Sequence, residues 1–371
     1  MGTTTPIHQV AALGQSIWYD NLQRSLLTSG RLKQMIDEGL LGMTSNPTIF
    51  EKAMSTGNDY DEQIAKLDPK LDDVAAYEAL AIRDIQGACD LFRPVFDRLD
   101  GKDGFVSLEV SPRLARDTQG TIDEAKRLFA AVARPNVMIK IPGTPECIPA
   151  IQHCIGLGIN INTTLLFSID SYLATAEAYQ AGLEKLKADG GDLSKVAGVA
   201  SFFLSRIDTA VDKALTELGE ANATLHGRAA VANAKIAYQK YQQIIATPRW
   251  LALATAGARP QRLLWASTST KNPTYSKLLY VETLIGPDTV NTVPTETYKE
   301  IMEHGEGHIA ETLTKDIEGA FGTIARLGDA GVSMKAVTDK LLADGVTAFS
   351  KSFDTLLPVV HDKRAKLANG A

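Results

Sequence analysis

Cysteine is scarce in this chain of 371 residues. Cys89, Cys147 and Cys154 are too few for a disulfide framework and suit a reducing compartment. Long apolar runs are missing as well, so no segment reads as a membrane span. The opening MGTTTPIHQVAALGQ has no apolar stretch preceded by basic residues, which fails the secretory-leader pattern. Nor is there an excess of positive charge. The formal net charge of −6 argues against a general nucleic-acid binder, while local basic pockets stay open. Neither GxGxxG nor GxxxxGKS/T occurs, which removes the usual nucleotide-binding loops. Metal patterns fail too. Cys147 and Cys154 can share a helix face, but His153 points about 100° away at helical pitch. His304 and His308 in HGEGH lack the HExxH order. These absences lead us to expect a cytoplasmic protein with no metal, membrane or nucleic-acid partner.

What is present is an alternation of short apolar, β-branched runs with long helical patterns. Eight runs read as strands: 15–20, 40–45, 104–110, 136–141, 158–164, 196–203, 262–268 and 288–294. In the segment after the third, Thr121 and Glu124 have capping-box spacing and Pro135 closes a helix. After the fourth, Thr144 can cap a helix with Pro145 at its first position. Eight strand-then-helix units predict an α/β chain folded as a (β/α)8 TIM barrel with extra helices. Such a barrel typically needs about 250 residues. The surplus falls in a helical insertion at 48–100 and a helical extension at 299–371. No Pro/Gly/Ser-rich linker cuts the chain, so 1–371 reads as one domain.

One residue is out of place. Lys140 sits in the run VMIKI, where the neighbours predict burial on both strand faces. A buried charge is costly unless paired, or unless the amine gives up its proton. In a barrel of this type the active site lies at the C-terminal strand ends. There the sequence puts Asp20, Asn46, Glu109, Lys140, Asn162, Thr164, Ser201 and Ser267. A lysine with two carboxyl groups suits Schiff-base chemistry: the neutral amine attacks a ketone, and the acids divide the proton work. Arg206 and Lys271, after the sixth and seventh strands, suit a phosphate site. Each residue taken singly has a plainer use. Lys140 can be half of an ion pair, and Glu109 can pair with Arg113. Asp20 and Thr164 can cap helices, and Asn46 before Pro47 is an ordinary turn. Arg206 can bridge to Asp208, and Lys271 can be solvated.

These residues lie in the strings LLGMTSNPTIFEKA, VSLEVSPRLARDT, VMIKIPGTPE, ININTTLLFS, SFFLSRID and WASTSTKNP. The set, in this order from about residue 15 to 300, resembles transaldolase in its longer form with a C-terminal extension. The resemblance implies that Lys140 forms the Schiff base. It implies that Asp20 exchanges a proton with the C4 hydroxyl, and that Glu109 handles imine protons through a water held with Thr164. Asn46, Asn162 and Ser201 match positions that hold donor hydroxyls. Arg206 and Ser267 match the phosphate site, where Lys271 stands in a loop that carries an arginine in shorter members. The implied reaction moves a dihydroxyacetone unit from a ketose phosphate to an aldose phosphate, within the non-oxidative pentose phosphate pathway. Neither metal nor organic cofactor is implied. The assembly expected is a monomer, or else a homodimer.

Two rivals stand beside this reading. A sibling aldolase would release free dihydroxyacetone, but such aldolases carry a tyrosine where this chain has Phe203. A phenolic hydroxyl can orient water on the intermediate and a phenyl ring cannot. A non-catalytic sugar-phosphate-binding barrel would have no use for the lysine and both carboxyl groups.

Overall fold

The protein, a computed structural model, is described over residues 4–369. The first three residues of the opening stretch and the last two of the expected extension lie outside the described residues. Eight strands form a closed barrel in chain order, β1 to β8. They are β1 Gln15–Asp20, β2 Gly42–Thr44, β3 Val106–Glu109 and β4 Val137–Pro142. The circle continues through β5 Ile161–Leu166, β6 Gly198–Phe203, β7 Arg262–Ala266 and β8 Thr289–Val293. Every neighbouring pair is parallel, and β8 closes onto β1 from Gln15↔Thr289 to Tyr19↔Val293. The strands are buried on both sides because helices cover one face and the other lines the barrel interior; β4, β5 and β6 are buried throughout.

Two stretches beyond the repeating strand-helix units are helical. Between β2 and β3 lie the helices Pro47–Ser55, Asp61–Ile64 and Asp73–Arg98. Residue 299 falls inside the helix Thr295–His304, which packs on β1 as the eighth barrel helix. The helices beyond it are Ile317–Asp329 and Met334–Asn369. No helix among the described residues is long and apolar enough to cross a membrane.

Two helix starts differ from expectation, for one reason. The helix after β3 runs Thr118–Val132 and is capped by Asp117, whose side chain accepts from the Gly120 amide. Thr121 instead donates to the Leu114 carbonyl, and Glu124 accepts from the Ser111 amide. After β4 the helix begins at Ile148, because Thr144 donates to the Ala115 carbonyl at 2.6 Å rather than capping. Polar side chains with helix-start spacing are here spent on holding loops to one another.

A charged network ties strands together at the N-terminal mouth of the barrel. Asp103 Oδ1 accepts from Trp18 Nε1 at 2.6 Å, and its Oδ2 from Ser16 Oγ at 2.5 Å. Arg262 Nη1 completes the set, 3.1 Å from the same Oδ2. Gly42 makes room for the indole: a Cβ there would come within 2.5 Å of the Trp18 ring.

Candidate active site

Register sets the site. On β3, β4 and β5, Glu109 is level with Lys140 and Lys140 with Asn162. Side chains level with one another on neighbouring parallel strands share a face, here the barrel interior. Lys140 is 4% exposed and its Nζ donates to the Ser45 carbonyl at 3.1 Å. Glu109 Oε2 stands 3.6 Å from that amine, within ion-pair reach but beyond a hydrogen bond. The same oxygen is buried with no hydrogen-bond partner among the described residues. Burial pushes the Glu109 carboxyl up to about 7 against the attraction of Lys140, with the Asp20 charge adding to the rise.

Asp20, at the end of β1, receives a hydrogen bond from Thr44 Oγ1 at 2.7 Å. Thr44 has one proton to give, so the 2.7 Å contact with Thr292 is filled by the Thr292 hydroxyl. Withdrawal from water raises the Asp20 pKa above its ordinary value, while Lys140 and the Thr44 hydrogen bond oppose the rise. A second chain of polar groups crosses the floor. Ser201 Oγ donates to Asn162 Oδ1 at 2.7 Å, and Asn162 Nδ2 donates to Ser107 Oγ at 3.0 Å. Ser45 Oγ donates to the Ser107 carbonyl, so the loop that takes the lysine proton donor is tied to β3. Thr164 is fully buried and its hydroxyl has no partner among the described residues. Asn46 caps the helix Pro47–Ser55, accepting from the Ile49 amide.

The residues expected at a phosphate site gather less completely. Ser267 directly follows β7 with φ 56°, strained for a residue with a Cβ, and its Oγ is 2.8 Å from Ser205 Oγ. Arg206, one residue on, is half-buried, and its guanidinium carbon is 5.4 Å from the centroid of the Phe203 ring. Lys271 is exposed and donates to Ser269 Oγ, not to Ser267.

The plainer alternatives fail for most of the set. Arg113 pairs with Asp354, leaving Glu109 to Lys140. The helix after Asp20 is preceded by Gln23, and the one after Thr164 is capped by Ser168. Asp208 is taken by the Ala230 amide and the Tyr280 hydroxyl, leaving Arg206 without it. Lys140 does have the ion-pair partner its plainer reading asked for, at 3.6 Å. Sequence reasoning missed Thr44, Ser45, Ser107 and Thr292. Strand alternation signals Ser107, two residues before Glu109.

The chain matches the family model described as Transaldolase/Fructose-6-phosphate aldolase over residues 17–360, well into the C-terminal helix. It is 46% identical to a transaldolase of Trichodesmium erythraeum, covering 98% of this chain and 99% of that one. A transaldolase of Thiobacillus denitrificans is 49% identical, covering 94% and 97%. "Transaldolase 2" of Nostoc punctiforme is 45% identical, covering 97% and 98%. With the barrel, the lysine and both carboxyl groups in place, these matches mean that the chain belongs to the transaldolase/fructose-6-phosphate aldolase family and is a transferase of the transaldolase type.

Proposed function

We propose that Lys140 is the Schiff-base residue and that the three-carbon unit of a ketose phosphate is carried on it. The observation that supports this is the incomplete pairing of the amine: Glu109 is 3.6 Å away with an oxygen to spare. A lysine held only for its charge would have that oxygen in a direct hydrogen bond.

In this reading the amine adds to the C2 carbonyl of fructose 6-phosphate or sedoheptulose 7-phosphate. Glu109 gives the proton with which the hydroxyl leaves as water, through a water held by the Thr164 hydroxyl. The iminium then draws electrons as the C3–C4 bond breaks, while Asp20 takes the C4 hydroxyl proton. The aldose phosphate departs, leaving an enamine on Lys140. That carbon attacks the aldehyde of glyceraldehyde 3-phosphate or erythrose 4-phosphate, Asp20 returns its proton, and water releases the new ketose. Asn46, Asn162 and Ser201 hold the donor hydroxyls. Arg206 and Ser267 take the phosphate, with Lys271 reaching it from its loop and Phe203 flooring the arginine. The Phe203 ring offers no hydroxyl to guide water onto the enamine, which supports transfer over release.

We read the helices of 48–100 and the C-terminal extension as parts of one domain with the barrel. The exposed large apolar side chains Leu157, Leu173, Leu218, Leu251 and Phe321 are scattered over different elements, which supports a monomer over a homodimer. The unpaired, buried cysteines suit a cytoplasmic setting.

The test is borohydride trapping with fructose 6-phosphate, read by intact mass and peptide mapping. The expected product is a reduced three-carbon adduct on the peptide containing Lys140. Sugar binding to folded protein without any adduct would overturn the proposal and favour a non-catalytic barrel.

A further inference from the structure

Arg206 is an unusual cation. It is half-buried, burial lowers its pKa, and no acid among the described residues counters that effect. A guanidinium withdrawn from water without a carboxylate is costly, and some other group must hold it. Two aromatic rings are close enough. One is Phe203, three residues earlier on the chain; the other is Phe349, far off in the C-terminal helix, with its centroid 6.0 Å from the guanidinium carbon. Ring faces attract the cation without neutralising it, so its charge stays available to an anion.

The same helix meets the barrel mouth at a second point. Gly345 lies one turn before Phe349 and faces the same way. A Cβ on Gly345 would come 3.0 Å from Leu165 Cδ2 and 3.4 Å from Arg206 Nη1. Leu165 has φ 58°, which a branched side chain rarely adopts, and it sits where the β5–β6 register shifts between Thr163 and Leu166. The irregular backbone next to Thr164 therefore sends Leu165 up to the helix. Away from this spot the helix has its own anchor. Phe353 packs edge-on to Tyr77 at 5.6 Å, and Ser352 Oγ is 2.8 Å from Thr48 Oγ1.

We propose that the C-terminal helix completes the phosphate subsite: Phe349 is a positioning residue that holds Arg206 against Phe203, and Gly345 is the notch that admits the guanidinium. This rests on the reading of Arg206 as the phosphate contact. The helix thereby sets the preference for phosphorylated over unphosphorylated sugars without itself touching the reacting carbons.

The experiment compares fructose 6-phosphate with unphosphorylated fructose as donor in Phe349→Leu, Phe349→Tyr, Phe353→Leu and Arg206→Gln. Phe349→Leu keeps the bulk and loses the ring. It should raise KM for fructose 6-phosphate about three- to tenfold, with kcat within about twofold and kcat/KM for fructose unchanged. Phe349→Tyr should restore the KM. Phe353→Leu should lower the melting temperature yet leave the ratio of the two donors alone. Should Phe349→Leu not fold, Gly345→Ala serves: alanine favours the helix, so a raised KM there comes from crowding Arg206 and Leu165. Equal effects on both donors, or the same shift of the ratio in Phe353→Leu, would overturn the proposal. If Arg206→Gln loses the phosphate preference while Phe349→Leu keeps it, the helix has no such role and the arginine reading stands. If Arg206→Gln keeps the preference, the arginine reading itself fails.

Discussion

Arg262 with Asp103 at the N-terminal mouth, and Lys140 with Glu109 at the C-terminal mouth, are ion pairs inside one barrel, built on opposite plans. At the first, both carboxylate oxygens are taken: Trp18 holds one, and Ser16 and Arg262 share the other. At the second, the charges stand 3.6 Å apart and a Glu109 oxygen has no partner. The choice of cation follows the same division. A guanidinium cannot give up its proton in a protein, which suits a permanent tie. An amine can, and then becomes a nucleophile. Full pairing makes the lower network a fastener, whereas in the proposed mechanism the gaps in the upper one are room for substrate and for protons in transit.

Lys140→Ala should break the upper pair with the largest effect on turnover and little on the fold. We expect transfer between fructose 6-phosphate and erythrose 4-phosphate to fall by more than about a thousandfold, as when a covalent nucleophile is removed. The stranded Glu109, already pushed up to about 7, can take a proton, so the melting temperature should move little. Substantial residual transfer would mean that the covalent step runs elsewhere.

Asp103→Asn should give the reverse result. It leaves the Arg262 guanidinium, 15% exposed, without its anion and unable to neutralise itself. Removing one member of such a pair costs about 3 kcal/mol, which denaturant unfolding would read directly. Activity per folded molecule should be unchanged, since Asp103 sits at the opposite mouth from Lys140. A loss of stability below about 1 kcal/mol would show that the lower network is not a fastener.

The two mouths were also unequally legible. All eight strands overlap the runs read from the sequence, because a chain buried on both faces leaves continuous apolar segments. Their ends are less regular: β2 shrinks to Gly42–Thr44, while β5 runs on to Leu166 through a register shift that no sequence period announces. At the upper mouth the candidate residues were readable because Lys140, Glu109 and Asp20 are charges towards the strand ends. Their partners were not: the Ser45 group that receives Lys140 is a backbone carbonyl, which any residue type supplies. The lower network was missed altogether. Asp103 is a loop residue just before β3, and only barrel closure brings Trp18 and Arg262 to it. Capping patterns misled at Thr121 and Thr144 because spacing cannot distinguish a local acceptor from one in another loop.

The smallest effect we predict concerns the unpaired oxygen itself, through the pH dependence of stability. The Glu109 carboxyl, at about 7 when folded against an ordinary 4.5, binds its proton more tightly in the folded chain than in the unfolded one. Its favourable contribution is therefore full below about 4.5 and is lost as pH rises through about 7. Between pH 5 and pH 8 the loss should be on the order of 2 kcal/mol, with the opposing attraction of Lys140 already contained in that shift. Glu109→Gln cannot ionise and should lack this fall. Thermal melts of both proteins at pH 5 and pH 8 isolate the group, since the other titrating residues are common to both. We expect the wild type to lose more than the glutamine variant between those two pH values. Parallel losses, or a wild type that gains on the variant as pH rises, would mean that Glu109 is ionised and firmly paired. In that case the upper ion pair would be a fastener like the lower one.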